Sequence, residues 1–229
     1  MNTLFVIYDS PASLSDADAA MLAEFLPLVP GLSTGLILTP ERQDGANPFA
    51  ADGRGPALVL QLGFRNPADR DAALHGSGAL APLARPDALP SLAGAEIRHQ
   101  AMTATAFPVP EPRRSHEGAL TFFVTYPGTT ADLESWLDHY DANHPPIMRR
   151  FPGVRAVETY RPVPWESELP WARDDAMQRN KVVFDDLAAL VAALTSPVMA
   201  EMRADAATFP PFSPKATHFP MITRELRGR

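Results

Sequence analysis

The chain has 229 residues, of which 45% are hydrophobic, and a formal net charge of −7. That length sustains one large domain or two small ones with a sizeable core. The acidic balance, with no basic stripe interleaved with aromatics, argues against nucleic acid and acidic membrane surfaces as partners. There is no cysteine, which excludes disulfides, thiolate nucleophiles and thiolate metal sites and fits a reducing, cytoplasmic setting.

Taken in chain order, the opening MNTLFVIYDSPASLSD reads as a strand without a basic leader, too short for a signal peptide. No window approaches the length of a membrane span. Residues 4–40 then continue as a helical pattern, a Pro30-Gly31 turn and a second apolar strand ending at Pro40. Residues 56–90 add a third strand and a second helical stretch, interrupted at Gly76-Ser77-Gly78. The 25 prolines are spread through loops such as FPVPEPRR, RPVPWESELP and FPPFSP, which indicates long ordered loops around a compact core.

Residues 107–117 are the natural connector, because the pattern then repeats. Tyr8, Pro30-Gly31 and Pro40 recur as Tyr126, Pro152-Gly153 and Pro162; Phe64, Leu74 and Pro90 recur as Phe184, Leu194 and Pro210. The spacing stays between 118 and 122 residues. The second copy carries four extra residues near Asn143-His144-Pro145-Pro146. Its strand at 120–126 leads to a helix capped by Thr129 or Thr130, with Leu133, Trp136, Leu137 and Tyr140 as the buried stripe. Strands at 154–160 and 181–184 follow. A helix then begins at Leu187 behind Asp186 as its N-cap and restarts at Ser196-Pro197, before a last strand near 216–222.

Each copy therefore reads βαββαβ, the ferredoxin-like order. Such a unit covers one sheet face with helices and leaves the other needing a partner. The expectation is an α+β fold of two tandem ferredoxin-like domains, residues 1–112 and 113–229. Their sheets would close face to face into an intramolecular barrel. The chain would then be a monomer, or a homodimer through outer surfaces.

The second copy resembles the EthD family of the dimeric alpha-beta barrel superfamily. The resemblance rests on Tyr126, the Trp136–Tyr140 stretch, His144-Pro145-Pro146, Phe151-Pro152-Gly153, Tyr160 and Thr195-Ser196-Pro197, with Asp205 and Phe209 after it. It implies a barrel fold and an enzyme that works without a cofactor on a small aromatic, polyketide-like or lactone-like molecule, as a cyclase, dehydratase, isomerase, lyase or monooxygenase. A small-molecule-binding or stress-related protein is the alternative it implies, and a purely structural module is a third reading. The first copy keeps the scaffold and lacks the His-Pro element.

The residue before a proline is pushed out of helical geometry, so the helix is expected to end near Asn143 and present His144 to a cleft. An imidazole with a pKa of about 6.5 exchanges protons at neutral pH; the bland alternative is a ring capping the last helical carbonyls. His144 is the proposed proton-transfer residue, with Tyr140 and Tyr126 orienting substrate. His139 is read as structural. Trp136, Tyr160 and Phe209 are candidate binding residues, and Arg149 is a candidate partner for a substrate carboxylate. Trp165 and Trp171, on the long 161–180 loop, suit either a lid or a plug for the barrel end. The six histidines form no HExxH or tight HxH set, and His144, Asp138 and His218 would meet only by tertiary accident, so no metal is expected. No phosphate-binding glycine loop or GxSxG elbow occurs, and no cofactor is expected.

Overall fold

The apolar run LFVIY is buried on both sides because its strand lies between two cores. In the computed structural model, which describes residues 1–41 and 52–226, Leu4, Val6 and Tyr8 of β1 (Asn2–Asp9) face one layer and Phe5 and Ile7 the other. The first half continues with α1 (Asp16–Phe25), β2 (Leu32–Pro40), β3 (Leu58–Phe64), α2 (Pro67–Ala73) and β4 (Glu96–Phe107). The second has β5 (Leu120–Tyr126), the short β6 (Thr129–Thr130), α3 (Leu133–Met148), β7 (Ala156–Pro162) and the short β8 (Ala172–Arg173). It goes on with β9 (Gln178–Phe184), α4 (Leu187–Leu194), α5 (Val198–Ala206), the short β10 (Phe212–Ser213) and β11 (Thr217–Leu226). Among the described residues no single helix is long and apolar enough to cross a membrane.

Eight strands close into a barrel in the order β1-β3-β2-β11-β5-β9-β7-β4, with β4 returning to β1. The uncovered faces of the two halves meet across the barrel interior, as expected. The halves also join edge to edge, and each long last strand serves both. Residues 96–103 of β4 pair with β1 while residues 102–107 pair with β7. Likewise residues 217–222 of β11 pair with β5 and residues 221–226 with β2. Edge pairing satisfies the backbone groups that a face-to-face sandwich would leave open. The barrel interior is filled by Phe5, Ile7, Leu36, Leu38, Val59, Met102, Phe123, Tyr160 and Met221. The helices cover the outside over two further cores, one per half. Gly31 and Gly153 occupy matching turns at φ 76° and 73°, a region that the Cβ of other residues disfavours.

Two local expectations fail. Asp132, not Thr129 or Thr130, caps α3 through its carboxylate and Ser135 N (3.1 Å); the threonines instead pair with β10. Further, α3 does not stop at Asn143 but runs through Pro145 and Pro146 to Met148. The prolines deprive the carbonyls of Asp141 and Ala142 of their usual donors, yet the ladder resumes with Arg149 N on Pro145 O (3.1 Å). Burial of His144, Pro145 and Met148 against the second-half core offsets that loss. The insertion near residues 143–146 thus falls inside a 16-residue helix, where α1 has 10 residues. Asp186 caps α4 as expected, accepting from Ala189 N at 2.8 Å. The interruption at Gly76-Ser77-Gly78 is more than a break, since α2 ends at Ala73 and no second helix of α5's length follows.

Candidate active site

A cavity of about 590 Å³ lies in the second half between the outer face of the sheet and the helices. Strand alternation builds its floor: Phe122, Val124 and Tyr126 of β5 beside Asn180, Val182 and Phe184 of β9. His144 and Met148 come from α3 and Met202 from α5, with Phe209 and Phe212 from the segment after it. The lining is mainly apolar with a few convergent polar groups, the usual make-up of a small-molecule site.

His144 is held between the rings of Tyr140 and Phe209, at centroid distances of 4.9 and 5.0 Å. Its Nδ1 lies 2.6 Å from Asp205 Oδ2 on α5, and both side chains are almost wholly buried. The ring therefore does not cap the end of α3. A carboxylate only accepts, so Nδ1–H donates and the lone pair sits on Nε2. Burial pushes the imidazole below its ordinary value; Asp205 opposes this and His218 adds to it. The ring is a neutral, oriented base at neutral pH.

A second histidine reaches the same cavity. His218 on β11 has Nδ1 2.8 Å from Asp52 Oδ2, and its backbone N–H donates to the same oxygen at 2.9 Å. Its ring stacks on Phe122 at 5.6 Å. Asp138 is elsewhere, bound to Arg161 at 2.9 Å, so only the two histidines of that trio meet.

Tyr126 lines the cavity, and its hydroxyl is 3.4 Å from that of Tyr140, which accepts a 2.6 Å hydrogen bond from Asn180 Nδ2. Tyr140 is fully buried rather than at a rim. Burial raises the pKa of Tyr126 and Tyr140, and likewise of Tyr8 and Tyr160. These are all four tyrosines of the chain. A spectrophotometric titration is accordingly expected to show no tyrosinate near pH 10, where free tyrosine ionises, until the protein unfolds. Tyrosinate appearing at its ordinary pH in the folded protein would contradict this packing.

The other sequence candidates separate. Phe209 lines the cavity. Trp136 is buried behind it, stacked on Tyr140 at 5.2 Å. Tyr160 faces the barrel interior, edge-on to Phe5 at 4.9 Å, because β7 alternates it away from the helices. Arg149 is exposed and off the lining. Trp165 and Trp171 belong to neither a lid nor this half. Their loop crosses to the first half, where both pack against that core and meet His99 at 5.9 and 5.6 Å. Of the three phenylalanines in residues 208–219, Phe209 and Phe212 reach the cavity, while Phe219 packs toward the barrel interior. His139 is half-buried, bonds Thr208 Oγ1 at 3.1 Å and packs edge-on to Phe209 at 6.0 Å.

Sequence reasoning missed the roles of Asp205, His218 and Asn180. Alternation along THF and along RNKVVF would have put His218 and Asn180 on the helix-facing side; Asp205 needed the packing of α5 on α3.

The closed barrel with its sheet-and-helix cavity is the fold of the dimeric alpha-beta barrels, and the second half carries an EthD domain, matched over residues 129–212. The chain is similar to an anthrone oxidase-like protein of known structure, at 11% identity and a TM-score of 0.64 over 98% of this chain and 93% of that one. It is also similar to two provisionally named monooxygenases. One, from Lactobacillus acidophilus NCFM, has 11% identity and a TM-score of 0.55 over 99% and 97% of the two chains. The other, from Fusobacterium nucleatum subsp. nucleatum ATCC 25586, has 7% identity and a TM-score of 0.56 over 99% and 94%. At these identities the likeness is one of fold. No curated protein sequence matches the chain.

The histidines set an acid limit on stability. Burial lowers His99 against its bond to the Ala172 carbonyl, and lowers His116 with help from Lys181, as it lowers His144. In the unfolded chain these rings take up protons at about pH 6.5; in the folded chain they do so only at lower pH. Between those values protons favour the unfolded state. Melting temperature is expected to be level above about pH 6.5 and to fall below it, less steeply in His144→Asn. A profile unchanged by that substitution would remove His144 from the effect.

Proposed function

We propose that the second-half cavity is the active site of an enzyme that removes a proton from a small, enolisable aromatic or polyketide-like molecule, using the chain's own side chains. The observation that carries this reading is the buried His144–Asp205 pair on the wall of an apolar cavity. Nε2 of His144 takes the proton from carbon, while Nδ1–H stays on Asp205, which stabilises the imidazolium that forms. The neutral hydroxyl of Tyr126, backed by that of Tyr140, holds the substrate oxygen where enolate charge develops. Asn180 positions Tyr140, and Phe209 packs on the substrate body. The names of the structural neighbours, an anthrone oxidase-like protein and monooxygenases, support an enolate as the species formed. We further read the halves, residues 1–112 and 113–229, as tandem ferredoxin-like domains fused into one barrel, with the site in the second.

The test is hydrogen exchange at carbon. Anthrone and a panel of polyketide-like and lactone substrates are incubated in D₂O under argon and followed by NMR. The native protein is expected to accelerate loss of the acidic C–H signal of at least one of them, and His144→Asn to abolish the acceleration. Exchange equal in both proteins would remove His144 as the base. No acceleration across the panel would favour a binding protein without turnover. Adding oxygen to an exchanging mixture then separates oxygenation from isomerisation or dehydration.

A further inference from the structure

Two cations line the mouth of the cavity with no carboxylate assigned to them. Arg203, one turn before the end of α5, and Lys215, in the segment leading to β11, are exposed and line the cavity. Neither has an ion pair or side-chain hydrogen bond among the described residues, whereas Arg150 on α3 pairs with Glu201 and Arg161 on β7 with Asp138 and Asp141. The acids of the site are already engaged: Asp205 accepts from His144 and Asp52 from His218. The interior beyond the mouth is apolar, with Phe122, Val182, Phe184, Met202 and Phe209 on its walls.

We propose that the ligand of this cavity is an aromatic anion, whose apolar body fills the interior and whose acidic group is held at the mouth by Arg203 and Lys215. The proposal rests on the cavity being the substrate site and adds the charge of the substrate. An uncharged aromatic would gain the apolar contacts and leave both cations in water. A carboxylate or sulfonate at the rim gains charge-assisted hydrogen bonds from the guanidinium and the ammonium. The acidic chain as a whole makes nonspecific attraction of anions elsewhere on the surface unfavourable.

Two fluorescent probes with one aromatic body decide the matter: 8-anilinonaphthalene-1-sulfonate, and N-phenyl-1-naphthylamine, which lacks the sulfonate. The native protein is expected to bind the sulfonate about tenfold more tightly, with the two probes competing for one site and the preference shrinking as salt is added. In R203A/K215A the two affinities should come within about twofold of each other, as expected when exposed pairs of this strength are lost. In R203E/K215E the preference should invert. Both positions are exposed, so neither variant should fail to fold. Equal affinities in the native protein, failure of the probes to compete, or a sulfonate preference that survives the charge swap would each overturn the proposal. The His144→Asn variant keeps these outcomes apart from the catalytic reading. It should retain the preference, and a protein that prefers the sulfonate yet exchanges no C–H would keep the anion site while losing the proton-transfer mechanism.

Discussion

Replacing His144 with alanine is expected to lower the rate of substrate deprotonation by roughly 10²- to 10⁴-fold, the ordinary contribution of a general base, and to reduce stability by about 1–3 kcal/mol. The second effect follows from the geometry. Asp205 is nearly as buried as His144, and the substitution leaves its carboxylate without the donor at 2.6 Å. The residue is at once a reactive group and a strut, so turnover and melting temperature should fall together. Asp205→Asn separates the two roles. The amide can still bond the ring, but through its NH2 it moves the proton onto Nε2, and through its oxygen it lacks the charge that stabilises the imidazolium. Activity should fall as far as in the alanine variant, with a smaller loss of stability. His139→Ala is the control, because that ring is off the cavity lining, with Thr208 and Phe209 as its neighbours and no buried carboxylate on it. If it lost as much activity as His144→Ala, the distinction between the two histidines would collapse.

The largest effect on stability is expected from Asp174→Asn. Asp174 is buried and receives Arg179 Nη2 at 2.6 Å and Arg98 Nη1 at 2.8 Å on one carboxylate oxygen. Burial alone would raise its pKa, but Arg179 and Arg98 hold it below the ordinary carboxylate range. Arg179 has no exposed surface; it also donates to Gln100 Oε1 at 2.9 Å, lies 3.9 Å from Met102 Sδ and sits over the rings of Phe5 and Phe123 at 5.4 and 6.0 Å, none of which carries a compensating charge. An amide of the same shape removes the negative charge and leaves a guanidinium sealed in the barrel. Breaking a buried pair in this way costs about 3–5 kcal/mol. Urea unfolding of Asp174→Asn should show that loss, and adding Arg179→Met should recover much of it by removing the stranded charge. A double variant no more stable than the single would mean that Asp174 acts by shaping its loop and not by neutralising Arg179.

Much of the scaffold could be read from the sequence because strands and helices declare themselves locally. The LFVIY and TFFVTY runs, the Pro-Gly turns and the stripe at Leu133, Trp136, Leu137 and Tyr140 need only their neighbours to be understood. What stayed hidden depended on partners far along the chain. Pro145 and Pro146 are unfavourable within a helix, and only the burial of the last turn of α3 against the core overrides that preference. The loop of Trp165 and Trp171 lies in the second half by sequence and fills the first half by contact. Nothing in its composition points to that crossing. His144 was conspicuous because of the prolines after it. Its carboxylate lies 61 residues away on a different helix, and no spacing rule reaches that far.

The sharing of β4 and β11 between the halves bears on how the molecule comes apart. Each of the eight barrel strands has a neighbour on both sides, and the seams β2–β11 and β4–β7 are ordinary ladders with six registered pairs each. Neither half can open without stripping a strand edge from the other, so the protein should lose its structure in one cooperative transition rather than two. A chain cleaved in the connector after β4 would yield two pieces that stay associated, each templating the missing rim of the other, and the scaffold is therefore suited to fragment complementation.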